Sequence, residues 1–220
     1  MVRLIEIEAL DLRYEPLRMR NPQIEGELLC SIRERGVEEP VFGVDTEQAP
    51  VLLDGFKRLR CARALGLARL PYESHGPDPA QGIVSLLQRR TAASLTILEQ
   101  AAFLDELRAT HGWSGGEMAR QLSRSKAWVS LRLDLFKGLR PAVRAKLFSG
   151  HFPAYAYLYS IRPFMRINGT SCADIERFVL AASGKGLSVR QIDLLCRSCF
   201  EGSTELREQI LAGQIRPRPG

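Results

Sequence analysis

The sequence predicts an α+β protein in which a small α/β region precedes an all-helical region. Short apolar runs bounded by Gly, Pro and Asp occur before about residue 75 and are typical of strands. From about Ile83 onward apolar residues recur at helical spacing, and no strand pattern remains. We therefore expect an α/β domain at 1–82, an all-helical domain at 83–166 and a short C-terminal helical segment at 167–220.

The composition is that of an ordinary soluble chain with a basic balance. The 220 residues are 45% hydrophobic and 25% charged, and the formal net charge is +6. A positive balance suits a polyanionic partner without proving one. No apolar run is long enough to span a bilayer, and the acidic N-terminus has no signal-peptide core. We therefore expect a cytoplasmic protein that does not contact a membrane.

The elements of the first region follow from short local patterns. Strands are expected at 2–10, 40–44, 51–53 and 70–73, and helices at 27–35 and 56–66. The second and third strands are predicted to form a hairpin. Arg20-Asn21-Pro22 predicts a turn or an extended arm, because Pro restricts the residue before it. The Gly/Pro-rich stretch at 75–82 predicts a loop.

Residues 113–139 predict two helices joined by a tight turn. Ser114 is a good N-cap, and Glu117 three residues later completes a capping-box pattern. Ser125 can cap the second helix. The expected core-facing residues are Met118, Ala119 and Leu122 in the first helix and Val129, Leu133 and Phe136 in the second. This is the layout of a helix-turn-helix that reads double-stranded DNA, although any packed helical hairpin with a charged outer face would give the same pattern.

The outer face of the second helix is basic or hydroxylic. The candidate DNA-binding residues are Arg120, Arg124, Ser125, Lys126, Ala127, Trp128, Ser130 and Arg132. We expect the three arginines to contact phosphates and Lys126, Ala127, Trp128 and Ser130 to lie at or near base edges. Trp128 could equally be a core residue, and Arg132 could instead pair with Asp134 or Glu117.

The remaining patterns are helical. Further helices are expected at 98–110, from Pro141 to Gly150, and at 152–161, 171–183 and 188–200, with a frayed tail at 216–220.

Cys196 and Cys199 form the single C-x-x-C pair among five cysteines. Without a second pair or a nearby histidine, two reduced thiols in a helix account for them better than a zinc site. We expect no metal ligands.

The clearest ligand-binding pattern of the first region is the strand VLLDG followed directly by the helix FKRLR. Gly55 permits close approach of a ligand to the backbone, and the free N–H groups of the first helical turn attract anions. Lys57, Arg58 and Arg60 place cations where they oppose the helix dipole. This pattern favours a phosphate or carboxylate ligand. A solvated basic helix face is the alternative.

These motifs resemble, in order and spacing, those of the ParB family of plasmid and chromosome partition proteins across residues 20–165. LLCSIRERGVEEPV resembles the helix, Gly turn and strand that carry the family's Gln-Pro, whose place Glu39-Pro40 holds here. LLDGFKRLRCARALGL resembles the phosphate-binding box Gly-Glu-Arg-Arg-x-Arg-Ala, with Phe56 in place of the Glu. AWVSLRLDL is the closest local match to the family's helix-turn-helix.

The resemblance implies that the first domain binds CTP with Mg²⁺ and acts as a switch that closes a clamp on DNA. The nucleotide-binding residues that it implies are Glu39, Pro40, Gly55, Lys57, Arg58, Arg60, Arg89 and Arg90. The family's second phosphate motif, Glu-Asn-x-x-Arg, falls near Ser85–Arg90, where the Glu and the Asn are absent. This departure speaks against Mg²⁺ binding and hydrolysis.

Three hypotheses on function follow. The first is a DNA-binding protein of partition or transcription-regulator type that acts as a homodimer. The second is a nucleotide-dependent enzyme such as a CTP hydrolase, a kinase or a nuclease, for which Glu38, Glu39 and Asp54 are the acidic residues near the site. The third is a nucleotide-independent adaptor whose C-terminal helices bind another protein.

Overall fold

The computed structural model of the protein describes residues 1–89, 95–167 and 169–214, with the backbone alone at 165–167. These residues form two compact units, Met1–Lys137 and Gly138–Gly220. The expected division into three domains stays a prediction. Arg90 and the tail at 216–220 lie outside the described residues. No described helix is both long enough and apolar enough to cross a bilayer.

The described strands of the first unit form one mixed sheet. The strands are β1 (Val2–Glu6), β2 (Val41–Asp45), β3 (Pro50–Asp54) and β4 (Arg69–Ser74), in the spatial order β1-β4-β2-β3. β1 pairs antiparallel with β4, β2 pairs antiparallel with β3, and β2 pairs parallel with β4. The predicted α+β class and the hairpin are therefore confirmed. The first strand is shorter than expected, because a 3₁₀ turn at Ile7–Ala9 follows it.

The helices of the first unit lie both between its strands and after the last strand in the sequence. They are α1 (Pro22–Arg35), α2 (Phe56–Ala64), α3 (Pro79–Gln88), α4 (Ile97–Ala109), α5 (Gly115–Gln121) and α6 (Lys126–Leu133). Further 3₁₀ turns lie at Glu15–Leu17 and Asp134–Phe136. One apolar core is continuous from the sheet to Val129 of α6. The two short helices α5 and α6 are thus packed into the same unit as the sheet.

α1 begins earlier than the sequence predicts, and α3 is a helix that the sequence patterns do not predict. α1 begins at Pro22, where a turn or arm is expected, because the Asn21 side chain accepts a hydrogen bond from the Ile24 N–H at 3.1 Å. α3 begins at Pro79, inside the expected loop, because the Asp78 side chain accepts one from the Ala80 N–H at 2.9 Å. Proline at the first helical position lacks only an N–H that has no partner within the helix, so it opens these helices.

The core-facing stripe of the second predicted helix is also corrected. Val129 is buried, but Leu133 and Phe136 are half-buried and Leu135 is buried instead. The cause is the change from α-helix to 3₁₀ helix at Asp134–Phe136, which tightens the turn and rotates the following side chains.

The second unit is helical throughout its described part. Its elements are α7 (Pro141–Phe148), α8 (Ala154–Ala156), a π-helical turn (Tyr157–Ile161), α9 (Arg162–Ile167), α10 (Cys172–Ala182), α11 (Val189–Glu201) and α12 (Thr204–Leu211). The sequence predicts two helices between 171 and 200, and α12 is an additional one. Cys196 and Cys199 lie in α11 with buried side chains.

Candidate nucleotide and DNA sites

The start of α2 joins the sheet through a left-handed glycine. Gly55 has φ +97°, and a Cβ atom at this position would lie 2.6 Å from the Val41 Cγ1 atom. The glycine is therefore required by packing against β2, with or without a ligand. The Gly55 N–H donates a hydrogen bond of 2.8 Å to Asp54 Oδ1, so an internal carboxylate already lies at this helix N-terminus.

Arg58 brings three of the predicted nucleotide-binding residues together. Its Nη1 atom donates hydrogen bonds to the carbonyl oxygens of Pro40 at 2.6 Å and Glu39 at 3.0 Å. The Glu39 carboxylate is 3.5 Å from the same nitrogen. Lys57 is half-buried, and no ion pair involves it in the described part of the chain. Arg58 therefore holds the segment before β2 against α2.

Arg60 is neutralised within the fold. Its Nη2 and Nε atoms donate to the Glu25 carboxylate at 2.6 Å and 3.0 Å, and its Nη1 atom donates to Glu15 Oε1 at 2.9 Å. The hydrogen bonds from Arg60 lower the pKa of Glu25 below its ordinary value. The nucleotide role of Arg60 stays a prediction, and a phosphate at this position would compete with two carboxylates.

Arg89 packs on an aromatic ring at the end of α3. Its guanidinium carbon lies 4.1 Å from the centre of the Phe42 ring, and Nη2 is 3.8 Å from Glu73 Oε2. The His75 ring packs against the same phenylalanine with ring centres 3.9 Å apart and the ring planes tilted by 43°. Burial lowers the pKa of His75. The other predicted cation of this motif, Arg90, is outside the described residues.

A buried ionic cluster that sequence reasoning missed connects the start of α2 with α4. Arg18 pairs with Asp54 at 2.8 Å and with Glu99 at 3.1 Å. The Glu99 carboxylate also accepts hydrogen bonds from the Met19 N–H at 2.9 Å and the Thr96 N–H at 2.8 Å. The only sequence signal was the Thr96–Glu99 spacing of a capping box, which α4 does contain. The partners lie far apart in the sequence, so no local pattern could join them.

The connection between α5 and α6 is short and well defined. Ser114 and Ser125 cap the two helices by accepting hydrogen bonds of 3.1 Å from the N–H groups of Glu117 and Trp128. Ser123 in the connection has φ +52°, a left-handed conformation that a non-glycine residue seldom adopts. Both serines therefore act as the predicted N-caps, but the described hydrogen bonds do not include the reciprocal one from the Glu117 side chain that a capping box requires. The turn fixes where α6 begins.

The predicted DNA-binding residues divide into two groups by exposure. Those that are exposed are Arg120, Arg124, Ser125, Lys126, Ala127 and Ser130. Trp128 is half-buried and packs against the core. Within 1–89, 95–167 and 169–214 no carboxylate forms an ion pair with Arg120, Arg124 or Lys126. Their positive charge therefore faces solvent without an internal counterion.

Arg132 does not point away from the fold as expected. Its Nε atom donates a hydrogen bond of 2.7 Å to Gln100 Oε1 of α4, and Nη1 donates one of 3.2 Å to the Trp128 carbonyl oxygen. Gln100 and Trp128, rather than the alternative carboxylates of Asp134 or Glu117, accept these two hydrogen bonds. Burial, together with the nearby charge of Arg124, lowers the pKa of Arg132 to about 10.

Neither cysteine chemistry nor a metal centre emerges from the described residues. No cluster of three or more His, Cys, Asp or Glu side chains with metal-binding geometry occurs among them. Burial raises the pKa of the Cys196 thiol to about 12 and that of Cys199 to about 11, which disfavours the reactive thiolate. An open groove of about 460 Å³ between Arg13, Thr46–Gln48 and Pro77–Pro79 contains none of the predicted site residues.

The sequence of the chain is similar to those of chromosome-partitioning proteins. No family model matches the chain. The chain is 28% identical over 188 residues to a probable chromosome-partitioning protein ParB of Coxiella burnetii, which covers 83% of this chain and 61% of that protein. It is 26% identical over 187 residues to a probable chromosome-partitioning protein ParB of Pseudomonas putida, with 84% and 62% covered. The chain thus spans about three fifths of these relatives' length.

The chain is also similar to a solved ParB structure. A C-terminally truncated chromosome-partitioning protein ParB of Caulobacter crescentus, complexed to the centromeric parS site, aligns with a TM-score of 0.40 at 23% identity. That alignment covers 89% of this chain and 99% of the solved chain. Because the TM-score is low, the similarity to ParB proteins rests on the sequence matches. These confirm the resemblance to the ParB family that the motifs predict.

Proposed function

We propose that this ParB-like chain binds double-stranded DNA through α5 and α6, with the N-terminal half of α6 in the major groove. The observation that carries the proposal is the set of exposed cations at this end of α6. Arg120, Arg124 and Lys126 have no ion pair in the described part of the chain, so a polyanion can neutralise them without breaking an internal ion pair. DNA phosphates are such a polyanion.

The proposed contacts separate into two kinds. Arg120 and Arg124 bind phosphates and position the protein, whereas Lys126, Ala127 and Ser130 lie where side chains of a recognition helix meet base edges. The Ser125 Oγ atom accepts the hydrogen bond that caps α6. A contact with DNA would therefore use the Ser125 O–H as a donor, or the Ser125 backbone.

Selection of duplexes from a random pool tests the base-reading role. We expect the unaltered chain to enrich one sequence, and Ser130→Ala or Lys126→Ala to enrich a different or less defined one. Arg108→Ala removes an exposed arginine of α4 that pairs with Asp105; it is the control and should leave the selected sequence unchanged. A uniform loss of affinity in the Ser130 and Lys126 variants, with the same sequence selected, would contradict their assignment to base reading.

The first specific probe is a parS duplex, since the Caulobacter crescentus relative was solved on its parS site. We propose that the chain binds such a site as a homodimer, because helix-turn-helix proteins read paired half-sites as dimers. Exposed leucines on the second unit, Leu180, Leu194 and Leu206, supply apolar surface for a second copy or for another protein. Sedimentation of Leu194→Glu against the unaltered chain distinguishes dimer from monomer.

We also propose CTP as the ligand to test at the start of α2, and the cytoplasm as the location of the chain. Support comes from Lys57 and Arg58 beside Gly55 at the first turn of a helix. Calorimetry with each of the four ribonucleotides, with Mg²⁺ and with EDTA, is the test. Selective binding of CTP that is lost in Lys57→Ala and Arg58→Ala but kept in Arg63→Ala supports the site, and absence of binding rejects it.

A further inference from the structure

Two arginines contact the Trp128 ring of the proposed DNA-binding helix. The guanidinium carbon of Arg132 is 3.5 Å from the centre of the indole ring, and that of Arg124 is 5.5 Å from the same centre. Both distances are within the range of cation–π attraction. The indole is also the aromatic side chain that joins α6 to the core of the first unit.

Gln100 of α4 fixes the deeper arginine. Its Nε2 atom donates a hydrogen bond of 2.9 Å to the Leu95 carbonyl oxygen, which leaves Oε1 as the acceptor that faces Arg132. Arg132 also donates to the Trp128 carbonyl oxygen. Because Nε and Nη1 of Arg132 both donate hydrogen bonds, the planar guanidinium is held against the indole ring.

Arg124 is fixed at its backbone rather than at its charge. The Arg124 N–H donates a hydrogen bond of 2.9 Å to the Ala119 carbonyl oxygen, which ties the turn to α5. Its exposed guanidinium lies over the indole and has no ion pair among the described residues. The contact with Trp128 is therefore an interaction that can direct a charge without an internal counterion in the described residues.

We propose that Gln100 and Arg132 are positioning residues that hold the Trp128 indole as a platform, and that this platform aims Arg124 at a DNA phosphate. The proposal rests on the proposed DNA-binding function and assigns different roles to two arginines that the sequence treats alike. Arg124 contacts the phosphate, and Arg132 acts through Trp128 without contacting DNA.

Fluorescence anisotropy of a labelled mixed-sequence duplex across a NaCl series tests these roles. Arg124→Ala should lower the salt slope by about 0.9, the value of one lost phosphate contact. Arg132→Ala should lose about tenfold in affinity and give the same slope as Arg124→Ala, and the double variant should lose no more than either. Arg132→Lys should not rescue binding, because an ammonium cannot lie flat on the indole while donating to both acceptors. Arg108→Ala is the charge control.

A readout without DNA tests the platform itself. In a Trp113→Phe background Trp128 is the one remaining tryptophan of the chain. Arg132→Ala and Gln100→Ala should each increase acrylamide quenching of its fluorescence, because the indole loses its cover. Urea unfolding shows that each variant is folded at the start of both measurements.

The outcomes separate this inference from the function on which it rests. If the changes in salt slope caused by Arg124→Ala and Arg132→Ala add in the double variant, or if Arg132→Lys fully restores binding, Arg132 is itself a phosphate contact. Either result would overturn this inference and leave the proposed function intact. Unchanged quenching in Arg132→Ala would overturn the platform whatever the DNA result. Failure of the unaltered chain to bind any duplex would overturn the proposed function and this inference together.

Discussion

The arginines at the start of α2 and those around α6 occupy similar sequence contexts but have different partners. Arg60 meets two carboxylates, and Arg58 donates to two backbone carbonyl oxygens. Arg124 has no ion pair in the described residues, and Arg132 contacts an amide oxygen, a carbonyl oxygen and an indole. A basic motif therefore predicts an anion ligand only where the fold has not already supplied the counterion.

Arg60→Ala should cause the largest loss of stability in this comparison. It leaves Glu15 and Glu25 without their cation in a site where all three side chains are mostly buried. Removing one partner of a buried ionic group costs about 3 kcal/mol in the free energy of unfolding. Urea denaturation measures this. Lys57→Ala on the same helix is the control and should change stability by less than about 0.5 kcal/mol. Equal losses would mean that Arg60 is not a structural residue.

Gly55→Ala should be next in size, at about 2 kcal/mol in the absence of any nucleotide. The residue has φ +97°, and a methyl group would approach Val41 Cγ1 at 2.6 Å. The same denaturation experiment tests this. Gly66→Ala also places a side chain at positive φ, but nothing lies within 4 Å of its Cβ position, so it isolates the contribution of the Val41 contact. If the two variants lose the same stability, the contact with β2 has no weight.

The sequence predicts local features of both regions well and their ionic partners poorly. The β2–β3 hairpin, α2 and the serine caps of α5 and α6 depend on neighbouring residues, and all are present. The pairing of Arg60 with Glu15 and Glu25, and of Arg18 with Glu99, depends on the tertiary fold, which periodicity does not encode. The same limit explains Arg132, whose acceptor lies on another helix 32 residues away.

Lowering the pH should reduce the stability difference between the unaltered chain and Arg60→Ala. Arg60 lowers the pKa of Glu25 in the folded state below the ordinary value of 4.5. The stabilisation from this pair is therefore complete above that pH and is lost as the pH falls through the folded-state pKa. Urea denaturation of both proteins at neutral pH and near pH 3 should give a smaller gap under acid. A gap that stays constant or grows would show that the interaction with ionised Glu25 does not account for the loss.

Arg120→Ala should have the smallest effect on folding and a clear effect on DNA. The side chain is exposed and has no ion pair within the described ranges, so we expect the free energy of unfolding to change by less than about 0.5 kcal/mol. If it contacts phosphate, the salt slope of DNA binding falls by about 0.9 in the same variant. Arg60→Ala should show the reverse pattern, with reduced stability and an unchanged slope under conditions where it is folded. If Arg60→Ala or Arg120→Ala changed both the free energy of unfolding and the salt slope, the comparison would fail. Arginines paired within the fold could then not be distinguished from arginines available to a ligand.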